Sequence, residues 1–198
     1  MRKKSGSGLA QSGSLLSWAS ARGIAKPIRV ALLDPAPGCR NSWYSANPDY
    51  LDHLADVVLP ALRGRVNVSA VVGLGVSLGA VAMMTLQRRH PTAVDALALQ
   101  SGSFFTPVLD PQESGFGYFD RICAGAVEVY TDPPERRVPL LLTCGAIEEN
   151  LANNRLMAEK LAAAAYQTTF VVVPDAHNTI GWRDAWAPHL DRLVDAVS

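Results

Sequence analysis

The sequence predicts an α/β fold, a mostly parallel sheet with helices on both faces. Three observations carry that prediction. Short apolar runs alternate along the chain with longer segments whose apolar residues recur at helical spacing. The short runs are nearly unbroken in Val, Leu and Ala, as in strands buried on two faces. Gly, Pro, Asn and Asp gather between the segments, where turns are needed.

Each element follows in order. Met1 to Ser14 is a flexible start rich in Gly and Ser, and a single domain is expected from residue 15 to residue 198. Leu15 to Ala25 reads as a short helix ended near Pro27. Ile28 to Leu33 reads as a strand, closed by the Asp34-Pro35-Ala36-Pro37-Gly38 loop. From Asp49 to Leu62, the residues Leu51, Leu54, Val58 and Leu62 define one buried helical face. Val68 to Leu74 is a strand expected to be buried on both sides. Leu78 to His90 is a helix with Arg88, Arg89 and His90 at its negative end and Pro91 as its stop. Val94 to Gln100 is the next strand, followed through Gly117 by a loop of Gly, Pro and aromatic residues. Val138 to Thr143 and Phe170 to Val173 are strands; Asn150 to Ala165 and Trp182 to Val197 are helices.

Composition excludes several classes of function. Of 198 residues, 18 are basic and 18 acidic, so no excess charge favours nucleic acid or an anionic membrane surface. The apolar runs are too short to span a bilayer. Cys39, Cys123 and Cys144 are odd in number and widely spaced, which fits neither a disulfide framework nor a paired-cysteine zinc site. They suit a reducing compartment, with Cys144 a buried, inert thiol. The basic start and the small residues Ala19-Ser20-Ala21 have the outline of a signal peptide but lack a sustained apolar run, and a cytoplasmic location is expected. There is no Walker-type phosphate loop and no Gly-x-Gly-x-x-Gly run. Asp175 and His177 lack a convergent third metal ligand, so no metal or cofactor is expected.

One motif carries chemistry. Gly75, Ser77 and Gly79 form Gly-x-Ser-x-Gly between a strand and a helix, the context of a nucleophile elbow. Such a turn exposes the serine hydroxyl at the carboxyl edge of the sheet, and its flanking positions are expected to be small for lack of room. It also aims the N–H of Leu78, at the helix start, toward a developing oxyanion. Of four histidines, His53, His90 and His189 lie on or at the ends of helices, whereas His177 lies in a loop after the final strand. That is where a general base for Ser77 would stand. The acid is expected after the preceding strand, where Glu148 and Glu149 are both available. Together these place the chain in the α/β-hydrolase class.

The motifs also resemble a family. Gly75-Val76-Ser77-Leu78-Gly79, Gln100-Ser101-Gly102-Ser103-Phe104, Gly145-Ala146-Ile147-Glu148 and His177-Asn178-Thr179-Ile180-Gly181-Trp182-Arg183 resemble the esterases related to enterobactin (enterochelin) esterase. Arg40-Asn41-Ser42-Trp43-Tyr44-Ser45-Ala46-Asn47-Pro48 extends the resemblance, which runs from about Ile24 onward. It implies a cofactor-free serine hydrolase acting on a small-molecule carboxylic ester, in the best-known members the ester links of a catecholate siderophore. Its Gly-x-x-acid pattern favours Glu148 over Glu149 as partner of His177, although some members manage with serine and histidine alone. Wider relatives include formylglutathione hydrolases and mycolyltransferases, so an acyltransferase on the same residues is the alternative.

Two departures stand out. Ala80 replaces a frequent second glycine, a minor change. More important, a complete domain of this class has further strands before the first helix, and a loop among them supplies a second oxyanion donor. Only Met1 to Ser14 stands there; Gly6, Gly8 and Gly13 would be the remnant of that loop, but no apolar strand leads into it. The expectation is therefore an α/β-hydrolase-like sheet lacking its N-terminal strands. A sheet edge left open in this way would invite homo-oligomers, and a non-catalytic binding domain is the third reading.

Overall fold

A computed structural model describes residues 28–197. Residues 28–34 belong to a unit separate from Pro35–Ser198 and carry no helix or strand. The strand expected over Ile28 to Leu33 is thus absent, and Val30 and Leu32 are exposed. An apolar run becomes a strand only where a ladder takes up its N–H and C=O groups. The helix expected over Leu15 to Ala25 and the glycines Gly6, Gly8 and Gly13 lie outside the described residues.

The second unit opens with α1 (Arg40–Tyr44) and α2 (Pro48–His53). The Asn47 side chain caps α2 by accepting the N–H groups of Asp49 and Tyr50. A π turn over Leu54–Val58 leads into α3 (Leu59–Arg63). The single helix expected over Asp49 to Leu62 widens here because Pro60 has no N–H to give and its ring crowds the preceding turn. Leu51 and Leu54 are buried as expected, while Val58 and Leu62 are only half-buried.

The rest is a regular α/β alternation. β1 (Val72–Val76), β2 (Ala96–Gln100), β3 (Leu140–Gly145) and β4 (Thr168–Val173) form a four-stranded parallel sheet in the order β1-β2-β3-β4. The crossovers are α4 (Leu78–Arg89), α5 (Phe119–Thr131) and α6 (Leu151–Ala163). Helix α5 falls where the sequence reading ended in a loop, although Phe119, Ile122, Ala126 and Val129 recur at helical spacing and are buried. The last helix, expected as one from Trp182 to Val197, is two: α7 (Thr179–Asp184) and α8 (His189–Val197). Pro188 separates them, since it cannot donate to a helical carbonyl and disfavours helical backbone before it.

Alternation along the strands sorts the core into two layers. Leu97, Leu99, Leu140 and Leu142 pack with Leu51, Met84, Leu86, Ile122, Met157 and Leu161 from the helices on one face. Ala96, Ala98 and Leu141 meet Leu193 of α8 on the other. Helices thus cover both faces. Strand β1 differs from expectation: it starts at Val72 rather than Val68, and Leu74 is 41 % exposed. Among the described strands β1 lies at the sheet edge, where burial on both sides is not complete.

Candidate active site

The parallel strands bring their carboxyl ends to one edge, and each is followed there by a polar side chain of interest. After β1, Ser77 has φ 57° and ψ −123°, a conformation that L side chains rarely adopt. Its N–H donates to Gln100 O at 3.0 Å, which extends the β1–β2 ladder into the turn. The two motif glycines are not equivalent. A Cβ on Gly75 would lie 2.2 Å from Gly79 O, so the chain closes on itself there. A Cβ on Gly79 would meet nothing within 4 Å. The expectation that both flanking positions lack room is therefore corrected: only Gly75 is sterically required. Leu78, first residue of α4, has an N–H with no acceptor inside its helix.

After β3, the turn Gly145-Ala146-Ile147-Glu148 folds Glu148 back on its own strand. Its Oε1 accepts the Gly145 N–H at 2.7 Å and the Ser101 hydroxyl at 2.7 Å. After β4, the loop of residues 174–178 carries His177, whose Nδ1 donates to Glu148 Oε2 at 2.8 Å. A Cβ at Gly145 would lie 2.1 Å from Asp175 O, so a glycine there lets the histidine loop approach the carboxylate. The Glu148 side chain is 1 % exposed and His177 is 41 % exposed. Asn178 caps α7 through the N–H groups of Ile180 and Gly181, which fixes the far side of the loop. Beneath, burial and then the neighbouring Glu148 push the Cys144 thiol up to about 12, leaving it protonated at neutral pH.

Ser77, Leu78 and His177 line one open cleft of about 350 Å³, with Arg40, Asn41, Phe105, Phe116 and Glu149 among the other walls. Glu149, the alternative acid, is exposed and faces this cleft rather than the imidazole. Among the described residues, the Ser77 hydroxyl has its hydrogen bond with Ser103 Oγ, at 3.2 Å, and not with His177. Apo sites often hold such contacts long or open until substrate arrives.

No protein-family model matches the sequence, and no curated protein does. Solved structures do. An enterobactin esterase from Shigella flexneri is similar with a TM-score of 0.68 and 17 % identity, over 88 % of this chain and 48 % of that one. A ferulic acid esterase gives 0.59 and 19 %, over 74 % and 61 %. A fluorophosphonate-binding serine hydrolase of Staphylococcus aureus gives 0.56 and 16 %, over 78 % and 68 %. This chain has the α/β-hydrolase fold. It is similar to esterases and serine hydrolases, and it spans about half the length of the enterobactin esterase.

Ser77, Glu148 and His177 stand together at the carboxyl edge of the parallel sheet. Sequence reasoning assigned no role to the residues that join them. Ser101, directly after β2, has φ 48° and bonds both Glu148 and Trp182. Trp182 sets its ring edge-on to His177, centroids 5.1 Å apart. Asn154 of α6 and Asn150, just before that helix, hold the Ser101–Gly102 backbone. The signal was Ser-Gly-Ser directly after a buried strand, at the same edge as the elbow. Arg183 pairs with Asp184, and His90 pairs with Asp52. Trp43 stacks on Tyr50, and Phe104 is core.

Proposed function

We propose that this chain is a serine hydrolase that cleaves a carboxylic ester through an acyl-enzyme on Ser77. The observation that carries the reading is the Glu148–His177 pair opening onto the same cleft as a serine held at φ 57°. With Nδ1 engaged by Glu148, His177 keeps Nε2 for the proton of Ser77. The hydroxyl turns from Ser103, attacks the ester carbonyl carbon and loses its proton to Nε2. The Leu78 N–H receives the oxyanion. Collapse of the tetrahedral adduct expels the alcohol, which takes the proton back from His177. Water then repeats the sequence in reverse roles and frees the acid. Glu148 stabilises the imidazolium at each stage.

No cofactor or metal enters this scheme. The enterobactin esterases among the similar structures make a siderophore-type ester the first substrate to assay. Three free cysteines support a reducing compartment, in keeping with the cytoplasm. Among the described residues, no helix is long and apolar enough to cross a membrane.

The test is labelling of the purified chain with a fluorophosphonate, followed by peptide mass spectrometry. An adduct on Ser77, lost in S77A and in H177A, is the expected result. A folded protein that forms no adduct would favour the non-catalytic reading, for which the Ser77–Ser103 bond is the motivating observation. Product ratios with added alcohols separate hydrolysis from acyl transfer.

A further inference from the structure

Ser101 is a buried serine in a conformation suited to glycine. It is 1 % exposed and has φ 48°. The neighbouring residue is Gly102, so the chain has a glycine at hand and does not use it at the strained position. Every polar atom of Ser101 is engaged. Its N–H donates to Thr143 O at 2.7 Å, and its carbonyl accepts from Asn150 Nδ2 at 2.9 Å. These bonds lock the backbone between β3 and α6 and aim the side chain.

The direction of the hydroxyl proton follows from its partners. An indole N–H only donates, so Trp182 Nε1, at 3.0 Å, occupies a lone pair of Ser101 Oγ. The hydroxyl has one proton, and Glu148 Oε1 at 2.7 Å is the acceptor available to it. A carboxylate can only accept here, so the chain of bonds has one polarity: Trp182 to Ser101 to Glu148. Oε2 of the same carboxylate is then left for His177. A second link reinforces the first. Gln100 Nε2 donates to Trp182 O, and Trp186 Nε1 donates to Gln100 Oε1, tying the residues after His177 to the end of β2.

Resting on the function proposed above, we infer that Ser101 is a positioning residue: its hydroxyl, directed by Trp182, holds the Glu148 carboxylate in the rotamer that orients His177. Ser101 does not touch the reacting atoms. Its whole effect runs through Glu148, and this separates the inference from a general role in packing.

The test is a double-mutant cycle read as the rate of fluorophosphonate labelling of Ser77 in the full chain. S101A is expected to slow labelling about 10-fold, the middle of the range for coupled neighbours in one network. In an E148Q background, where no carboxylate remains to be oriented, S101A is expected to change the rate no further. S101G relieves the backbone strain and also lacks the hydroxyl, so it gives the same readout if S101A folds poorly. Equal slowing by S101A in both backgrounds would overturn the inference in favour of packing. Labelling of S101A or S101G at the wild-type rate would overturn it alone and leave the proposed function standing. A folded wild-type chain that takes no label on Ser77 would remove both.

Discussion

Glu148 and His177 are joined across two loops, the carboxylate sealed from water and the imidazole open to the cleft. Because the buried charge meets the ring at a single oxygen, replacing Glu148 by its amide keeps the shape and removes the charge. E148Q is expected to lower the rate of fluorophosphonate labelling by roughly 10²- to 10⁴-fold, the scale for loss of a triad carboxylate. E149Q, altering an exposed side chain on the cleft wall, is expected to stay within about twofold of wild type. Parallel labelling time courses of the two variants check this, and comparable losses would reassign the acid.

The elbow glycines separate in a stability measurement. G75A places a methyl group against the Gly79 backbone at 2.2 Å, where no flexible side chain can give way. It is expected to cost about 3 kcal/mol or more. G79A meets open space in the first turn of α4, and replacing glycine by alanine in a helix is expected to stabilise by up to about 1 kcal/mol. Urea unfolding of both variants gives the comparison.

Helix α6 holds the loop after β2 through an amide. Asn154 is fully buried; its Oδ1 accepts Gly102 N–H at 3.0 Å and its Nδ2 donates to Gly102 O at 2.8 Å. Removing the amide leaves the Gly102 N–H unpaired in the interior and its carbonyl with the longer bond from Asn150 Nδ2 at 3.3 Å. N154A is expected to destabilise by about 3 kcal/mol, again read from urea unfolding, with a loss below about 1 kcal/mol contradicting the assignment.

On the surface, Asp52 accepts from Arg89 and His90, and hydrogen bonding to Arg89, then to His90, holds its carboxyl well below the ordinary value of 3.8. A depressed folded-state value stabilises the fold above the unfolded value, and this contribution is lost as pH falls below it. D52N is therefore expected to lower the urea midpoint at pH 7, with the gap to wild type closing as pH drops below 3.8. A gap independent of pH would show that charge is not the cause.

The parts of this molecule legible in the sequence are those coded locally. Gly75-Val76-Ser77-Leu78-Gly79 states its turn within five residues, and Asn47-Pro48 announces α2 by a cap and a proline. What depends on distant partners was not legible. The Gly-x-x-acid pattern favours Glu148 over Glu149, but the contact that brings His177 to it, the approach of the Asp175 backbone to Gly145, lies 30 residues away in sequence. Ile28 to Leu33 has the composition of a strand and no place in the described sheet. Helix α5 was hidden by the aromatic loop before it, while the break at Pro188 was written plainly and overridden by the amphipathic spacing around it.

The single polar edge has a consequence for how such a chain can change. Strands β1 to β4 fix where Ser77, Ser101, Glu148 and His177 begin, but Phe105 and Phe116, on the cleft wall, hang from a loop that contributes no ladder. Alterations in that loop reshape what the cleft admits while leaving the register of the sheet untouched. Selectivity and foldability are thereby written largely in different positions of the same gene. A library over residues 105–117 that keeps the buried Asp110, bonded to Asn153 and to the Thr106 N–H, would explore the first at little risk to the second.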